Sequence, residues 1–332
     1  MKDKLLNILK IAISIGLILF LFQRVPAREV GQAISQANIW LLLLAQALYF
    51  LAIGTGTFKW WVLLRAQDIH VPYFDLLGIM FVGLFFGNFL PTNVGGDLVR
   101  GFDLARYTSR AAEAAISVVV DRVVGLIAFM SVAVGSALVA VYATGQVSLG
   151  SVVTAAVVGL VVLVASFAIM LSRRLRRQVE RLFAWPLLSP FAPLYRRLSS
   201  ALTAYRHSLG TLAVAYGISL TTLLVSNLVN FAIAEALGGG IPLLYIFLFN
   251  PLIAFVLLVP ISVGGLGVNQ SAYVFFFGLV GITASVIFPV SLVMQSVIYV
   301  ASLPGGLLWL RKRGRSAEII AAGEASVGPS AT

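Results

Sequence analysis

Apolar residues run in long unbroken stretches along this chain instead of alternating with polar ones. Six stretches have crossing length: Leu5–Phe22, Ile39–Phe58, Ala111–Tyr142, Val147–Leu171, Leu209–Leu237 and Thr283–Leu310. An α-helix needs about 20 apolar residues to cross a bilayer. Two further stretches, Phe74–Leu90 and Leu243–Val259, begin just after a proline, Pro72 or Pro242, and stop at another, Pro91 or Pro260. The short alternating segments of a membrane β-barrel are not visible. The pattern predicts an all-α polytopic membrane protein.

Composition agrees. Of 332 residues, 60% are hydrophobic and only 11% are charged, which excludes a soluble globular domain and a disordered chain. The first stretch follows Lys2, Lys4 and Lys10. It is longer than the apolar core of a secretion signal, and no small-residue cleavage site follows it closely, so it reads as a retained helix. The net charge of +11 has a topological reading, not a nucleic-acid one. Segments 1–10, 59–73, 97–110, 172–208 and 311–315 hold 20 of the 23 Lys and Arg. Basic residues collect in cytoplasmic loops, so this asymmetry predicts a cell-membrane protein with both termini cytoplasmic. Within the basic loop 172–208, Leu198, Ala201, Leu202 and Tyr205 have the spacing of an interfacial helix. The tail 316–332 is small and polar and reads as disordered.

The chain repeats itself. Pro91-Thr-Asn-Val-Gly-Gly-Asp97 and Pro260-Ile-Ser-Val-Gly-Gly-Leu266 share P-x-x-V-G-G at an offset of 169 residues. Each copy follows an apolar stretch of similar length, and the flanking helices correspond. The first stretch is entered from the basic 59–73 segment and leaves into the basic 97–110 segment, so it goes in and returns. The expected architecture is one transmembrane domain, 1–315, with inverted halves at about 1–142 and 147–312. It has six full transmembrane helices plus two re-entrant hairpins; the alternative is eight transmembrane helices. Inverted repeats with broken helices are the pattern of secondary transporters. A helix starting after Gly95-Gly96 would turn its positive end toward an anion such as a lipid phosphate. The competing reading makes each Gly-Gly a tight turn between packed half-helices.

Polar residues inside apolar helices are the candidate site. Asp121 and Arg122 lie ten residues into a helix, about 15 Å deep at 1.5 Å per residue. Each would cost about 2.5–3.5 kcal/mol at the bilayer centre on insertion scales. Neighbours on a helix do not face each other, so each needs its own partner. Asp97 and Arg100, just after Gly96, are the candidates; Gly125, one turn beyond Asp121, opens space. Asp103, Arg106 and Arg110 suit surface pairs on an interfacial helix. Asn88 sits near the tip of the first hairpin, and Asn250 lies in the second run. Asn227 and Asn230, one turn apart, suit interhelical hydrogen bonding. Glu235 lies near the outer end of its helix, and Asn269 and Gln270 follow the second Gly-Gly. The expected substrate-binding set is Asn88, Pro91, Gly95, Gly96, Asp97, Arg100, Asp121, Arg122, Glu235, Pro260, Gly264, Gly265, Asn269 and Gln270. No catalytic constellation, P-loop or metal-ligand cluster is visible, so neither a metal nor another cofactor is expected.

Three motifs in order resemble the membrane domain of bacterial lysylphosphatidylglycerol synthases and their stand-alone, flippase-like relatives. They are Asn88-Phe-Leu-Pro-Thr-Asn-Val-Gly-Gly-Asp97 with Arg100, Asp121-Arg122-x-x-Gly125, and Pro260-Ile-Ser-Val-Gly-Gly-Leu-Gly267. The likeness spans about residues 1–312. It implies lipid handling: translocation of a lipid or lipid-linked headgroup, with membrane lipids as partners. The local charge favours an anionic lipid. The alternative is a glycosyl- or phosphotransferase acting on a polyprenyl-phosphate lipid, for which Asp97 and Asp121 are the only plausible carboxylate pair. The family usually follows its second glycine motif with a charged pair, where this chain has Asn269-Gln270. Only 17 residues follow Arg315, so a stand-alone domain without the cytosolic aminoacyl-transfer domain is expected.

Overall fold

The computed structural model describes residues 15–23, 25–89, 95–144, 150–172, 203–257 and 262–326. Pro91, Pro260 and most of the basic loop, 173–202, lie outside them. After helical residues 15–23 come α1 (Ala27–Ser35), α2 (Ile39–Arg65), α3 (Tyr73–Phe89), α4 (Gly95–Thr108), α5 (Ala111–Thr144) and α6 (Gly150–Leu171). The chain continues as α7 (Leu209–Ala236), α8 (Leu243–Val256), a single turn Val263–Gly265, α9 (Val268–Gly278) and α10 (Ala284–Ser326). The described residues are helical, with no strand among them. Four helices are long and apolar enough to span a membrane: Ile39–Arg65, Ala111–Tyr142, Leu209–Ala236 and Ala284–Arg311. Tyr73–Asn88, Ala156–Ala168 and Leu243–Val256 are shorter apolar helices.

Packing pairs repeat when one half is exchanged for the other. Helices α2 and α7 lie side by side. Around them α3 packs on α4 and on α10, while α8 packs on α9 and on α5. Likewise α4 packs on α5 as α9 packs on α10, and α5 meets α7 as α10 meets α2. The repeat in the sequence is thus a repeat of neighbours. Apolar side chains such as Trp40, Leu43, Leu44, Val158, Val161 and Leu307 remain exposed, as a hydrocarbon solvent allows.

The two short helix pairs are held by different means. Asp75 accepts from Tyr107, Met80 meets Arg100, and Gly83 and Gly87 face Gly96, so α3 and α4 run antiparallel with their open ends together. A Cβ on Gly96 would overlap the Gly83 carbonyl oxygen and lie 3.0 Å from the Gly87 Cα. Gly83-x-x-x-Gly87 is a small-residue groove that lets two backbones touch. The second pair is packed by rings instead: Phe249 on α8 meets two rings of α9, Phe277 at 5.1 Å and Phe276 at 5.9 Å. Its turn carries positive φ at Gly264 (56°), Gly265 (76°) and Gly267 (83°), which residues with a Cβ rarely adopt. A Cβ on Gly264 would lie 2.5 Å from the Asn88 carbonyl oxygen, so the second Gly-Gly turn sits against the end of α3.

Helix α10 approaches α3 as closely. A Cβ on Gly305 would overlap the Phe81 carbonyl, and one on Gly306 would meet the Phe85 ring at 2.7 Å. Gly305→Ala should therefore lower the melting temperature of detergent-purified protein, at a cost of roughly 1–3 kcal/mol for overpacking. An unchanged melting temperature would mean that the two helices can separate without penalty.

Four expectations are revised. Helix α2, whose first free amides are capped by the Asn38 side chain, does not stop at Phe58 but continues to Arg65, because 59–65 is apolar on the inward face through Trp60, Leu63 and Leu64. Tyr205 is not interfacial; it is buried among Leu63, Ile116, Val120 and Leu212. The surface pairs expected for Asp103, Arg106 and Arg110 do not form among the described residues. Arg110 instead donates to the Gln67 carbonyl at 3.2 Å, beyond the end of α2 where carbonyls lack helical partners. Helix α10 runs on to Ser326, through part of the segment that reads as a disordered tail; Ala317–Ala322 are mostly good helix formers.

Candidate functional site

Helices α2, α4 and α5 bring five charged side chains into one line: Lys59, Asp121, Arg100, Asp97, Arg122. Lys59 Nζ lies 2.9 Å from Asp121 Oδ1 and donates its hydrogen bond to the Asp121 main-chain carbonyl at 3.0 Å. Arg100 Nη2 donates to Asp121 Oδ2 at 2.8 Å, and Arg100 Nε donates to Asp97 Oδ1 at 2.9 Å. Arg122 Nε donates to Asp97 Oδ2 at 2.5 Å. Charges alternate along the line, so each carboxylate is shared by two cations.

Local structure explains each placement. Asp97 lies in the first turn of α4, where the helix dipole favours a carboxylate, and Arg100 is one turn on along the same face. Asp121 and Arg122 are adjacent on α5 and diverge, one toward α2 and one toward the start of α4. A Cβ on Gly125 would lie 3.3 Å from Lys59 Nζ, so this glycine does open the space expected of it. The Arg100 guanidinium lies 4.8 Å from the Trp60 ring centroid, and Trp60 Nε1 is held by Ser117 Oγ at 3.1 Å. Burying such charges is expensive unless every one is paired, and here the pairing is continuous.

Two features give the line a direction. Three cations face two carboxylates, an excess of one positive charge. Side-chain exposure is 5% at Arg100 and 8% at Asp121 but 50% at Arg122. The positive excess is thus sealed inside and open at the Arg122 end.

The expected partners are the observed ones: Arg100 meets Asp121, and Asp97 meets Arg122. Lys59 was missed. As the first charge after an apolar run it read as a loop residue, and only the continuation of α2 to Arg65 turns it inward. The Gly83/Gly87 groove was missed too, although Gly-x-x-x-Gly inside an apolar run was a readable signal. Gly95 is buried at the start of α4. Gly96 and Gly264 are accounted for by close backbone approach.

The second half carries amides instead of charges. Asn269 Nδ2 donates to Gln295 Oε1 at 3.4 Å, and Gln270 Oε1 accepts from the Gly267 amide at 2.7 Å. Tyr273 donates to Asn230 at 2.6 Å and Asn250 donates to Asn227 at 2.9 Å, the interhelical bonding expected of these asparagines. Glu235 stands apart: it is exposed near the end of α7, beside Gly239, and joins none of the charged line's ion pairs.

The long apolar helices and the charged line held among α2, α4 and α5 define a polytopic helical membrane protein with an internal polar site. The chain matches the lysylphosphatidylglycerol synthase TM region over residues 7–305, and it belongs to that family. It is 26% identical over 275 residues to a UPF0104 membrane protein of Methanothermobacter thermautotrophicus, covering 78% of this chain and 81% of that one. It is 20% identical over 324 residues to a UPF0104 membrane protein of Pyrococcus horikoshii, covering 92% and 97%.

Proposed function

We propose that the protein is a flippase-like transporter of the cell membrane that moves an anionic phospholipid or lipid-linked headgroup between leaflets. The observation that carries this reading is the charged line with its positive excess open at Arg122. A lipid phosphate fits there as the missing anion, and the family's description points to lipid chemistry. The transferase alternative loses support, because Asp97 and Asp121 are each held by two cations and neither is free to act as a base.

The α3/α4 and α8/α9 pairs act in this reading as re-entrant hairpins. Helices of 17 and 14 residues are about 25 and 21 Å long at 1.5 Å per residue, short of the ~30 Å hydrocarbon core. The hairpins enter from opposite sides, with both chain termini cytoplasmic. The sequence contains no cysteine, so Ser109→Cys beyond α4 and Ser285→Cys at the start of α10 are single reporters at exposed positions. An impermeant thiol reagent should label Ser109→Cys only from the cytoplasmic side and Ser285→Cys only from the outer side. Labelling of both from one side would reject the inverted arrangement.

Transport itself is tested in proteoliposomes carrying a fluorescent anionic phospholipid, with dithionite quenching of the outer leaflet. Protein-containing vesicles should lose nearly all fluorescence and protein-free vesicles about half. A half-loss in both would overturn the flippase reading.

A further inference from the structure

The two halves are alike in packing and unlike in chemistry. Arg100 and Asn269 stand at the motif's own offset of 169 residues, on α4 and α9. Arg100 reaches Asp121 on the following long helix, α5; Asn269 reaches Gln295 on the following long helix, α10. The buried ion pair of the first half is therefore replaced by a buried amide–amide pair in the second. Around that pair, polar atoms are left without partners. Gln270 is fully buried; its Oε1 caps Gly267, but its Nε2 donates to nothing. Ser262, 1% exposed at the start of the second Gly-Gly turn, has an unpartnered Oγ. So has the Asn88 Nδ2 at the end of α3, whose carbonyl faces Gly264 of the same turn. Leaving a buried polar group without a partner is costly. These three groups, contributed by the turn and the elements on either side of it, are all uncharged, and together they form a set of neutral donors and acceptors suited to a neutral polar ligand. Hydroxyl groups, which both donate and accept, match it, and the three side chains themselves offer no counter-charge to an ion.

We propose that the second Gly-Gly turn, with Asn88, Ser262 and Gln270, is a binding site for a neutral hydroxyl-rich headgroup, the glycosyl part of a lipid. The proposal rests on the lipid-handling reading and deepens it. The first half takes the phosphate, and the second half takes an uncharged sugar-like moiety of the substrate.

The test measures binding to the purified full chain of a monogalactosyl diacylglycerol, against a diacylglycerol with the same acyl chains, free galactose and an anionic phospholipid. The glycolipid should bind more tightly than the diacylglycerol. Free galactose should compete weakly; competition equal to the glycolipid would overturn the lipid source. Ser262→Ala removes an unpartnered hydroxyl. It should leave the melting temperature unchanged or higher while weakening glycolipid binding ~3- to 10-fold, the worth of one hydrogen bond. Gln270→Leu should weaken it further, and Arg122→Gln and added salt should not affect it. Equal binding of glycolipid and diacylglycerol, or glycolipid binding unaffected by Ser262→Ala and Gln270→Leu, would overturn the inference and leave buried water as the partner of these groups. Retained anionic-lipid binding in that outcome would leave the transporter reading standing. Loss of binding to both lipid types would sink both.

Discussion

Asp121→Asn should be strongly destabilising, more so than any other single change in the charged line. Asp121 is the carboxylate shared by Lys59 and Arg100, and its side chain is 8% exposed. Neutralising it leaves three cations against one carboxylate. Breaking a buried pair by removing one partner costs about 3–5 kcal/mol, because the surviving charge stays buried. The variant should show a lower melting temperature in detergent and a poorer yield of monodisperse protein. Adding Lys59→Met returns the line to an excess of one positive charge and should recover part of the loss. The double-mutant coupling should fall in the range of roughly 0.5–3 kcal/mol seen for contacting residues. A folded Asp121→Asn protein with wild-type melting temperature would place this carboxylate in a hydrated cavity and remove it from the structural account.

Where the sequence was legible, a single physical signal sufficed. Uninterrupted apolar runs marked α2, α5, α7 and α10, because only a hydrocarbon solvent tolerates them. The P-x-x-V-G-G repeat pointed to matching elements, and the exchange of packing partners between the halves follows the same correspondence. Helix ends were harder. The continuation of α2 past Phe58 depends on Trp60, Leu63 and Leu64 finding buried neighbours, which no local pattern reveals.

The site divides in the same way. Two charges in an apolar helix required partners, and Asp97 and Arg100 were the nearest candidates in sequence; both pairings are present. Lys59 could not be read, since a lysine at the end of an apolar run is ordinarily a topology signal. Glycine was ambiguous in principle. Gly96 and Gly264 could have served a ligand or a close contact, and the Gly83 and Asn88 carbonyls facing them supply the close contact. The neutral character of the second half was visible in Asn269-Gln270. That Gln270 spends one end of its amide on Gly267 and leaves the other unused is a matter of geometry alone.

Arg122→Gln separates binding from folding. Arg122 is half-exposed, and Asp97, its partner, keeps Arg100 at 2.9 Å when Arg122 is lost. No buried charge is stranded, so the melting temperature should stay near that of the unaltered protein. What changes is the positive excess, which falls from one charge to none at the only open end of the line. A charge-assisted hydrogen bond to a phosphate contributes about 1.5–3 kcal/mol, so affinity for an anionic phospholipid should fall ~10- to 100-fold. Arg122→Lys keeps the charge but not the planar fork and should lie between the two. The difference between unaltered protein and Arg122→Gln should narrow as salt rises, because the exposed half of the guanidinium is screened. Lipid titrations of all three proteins, with diacylglycerol as the uncharged control, read each of these. Equal affinity for the anionic lipid and diacylglycerol, unaltered by Arg122→Gln, would leave the positive excess without a ligand and the phosphate reading without its main support.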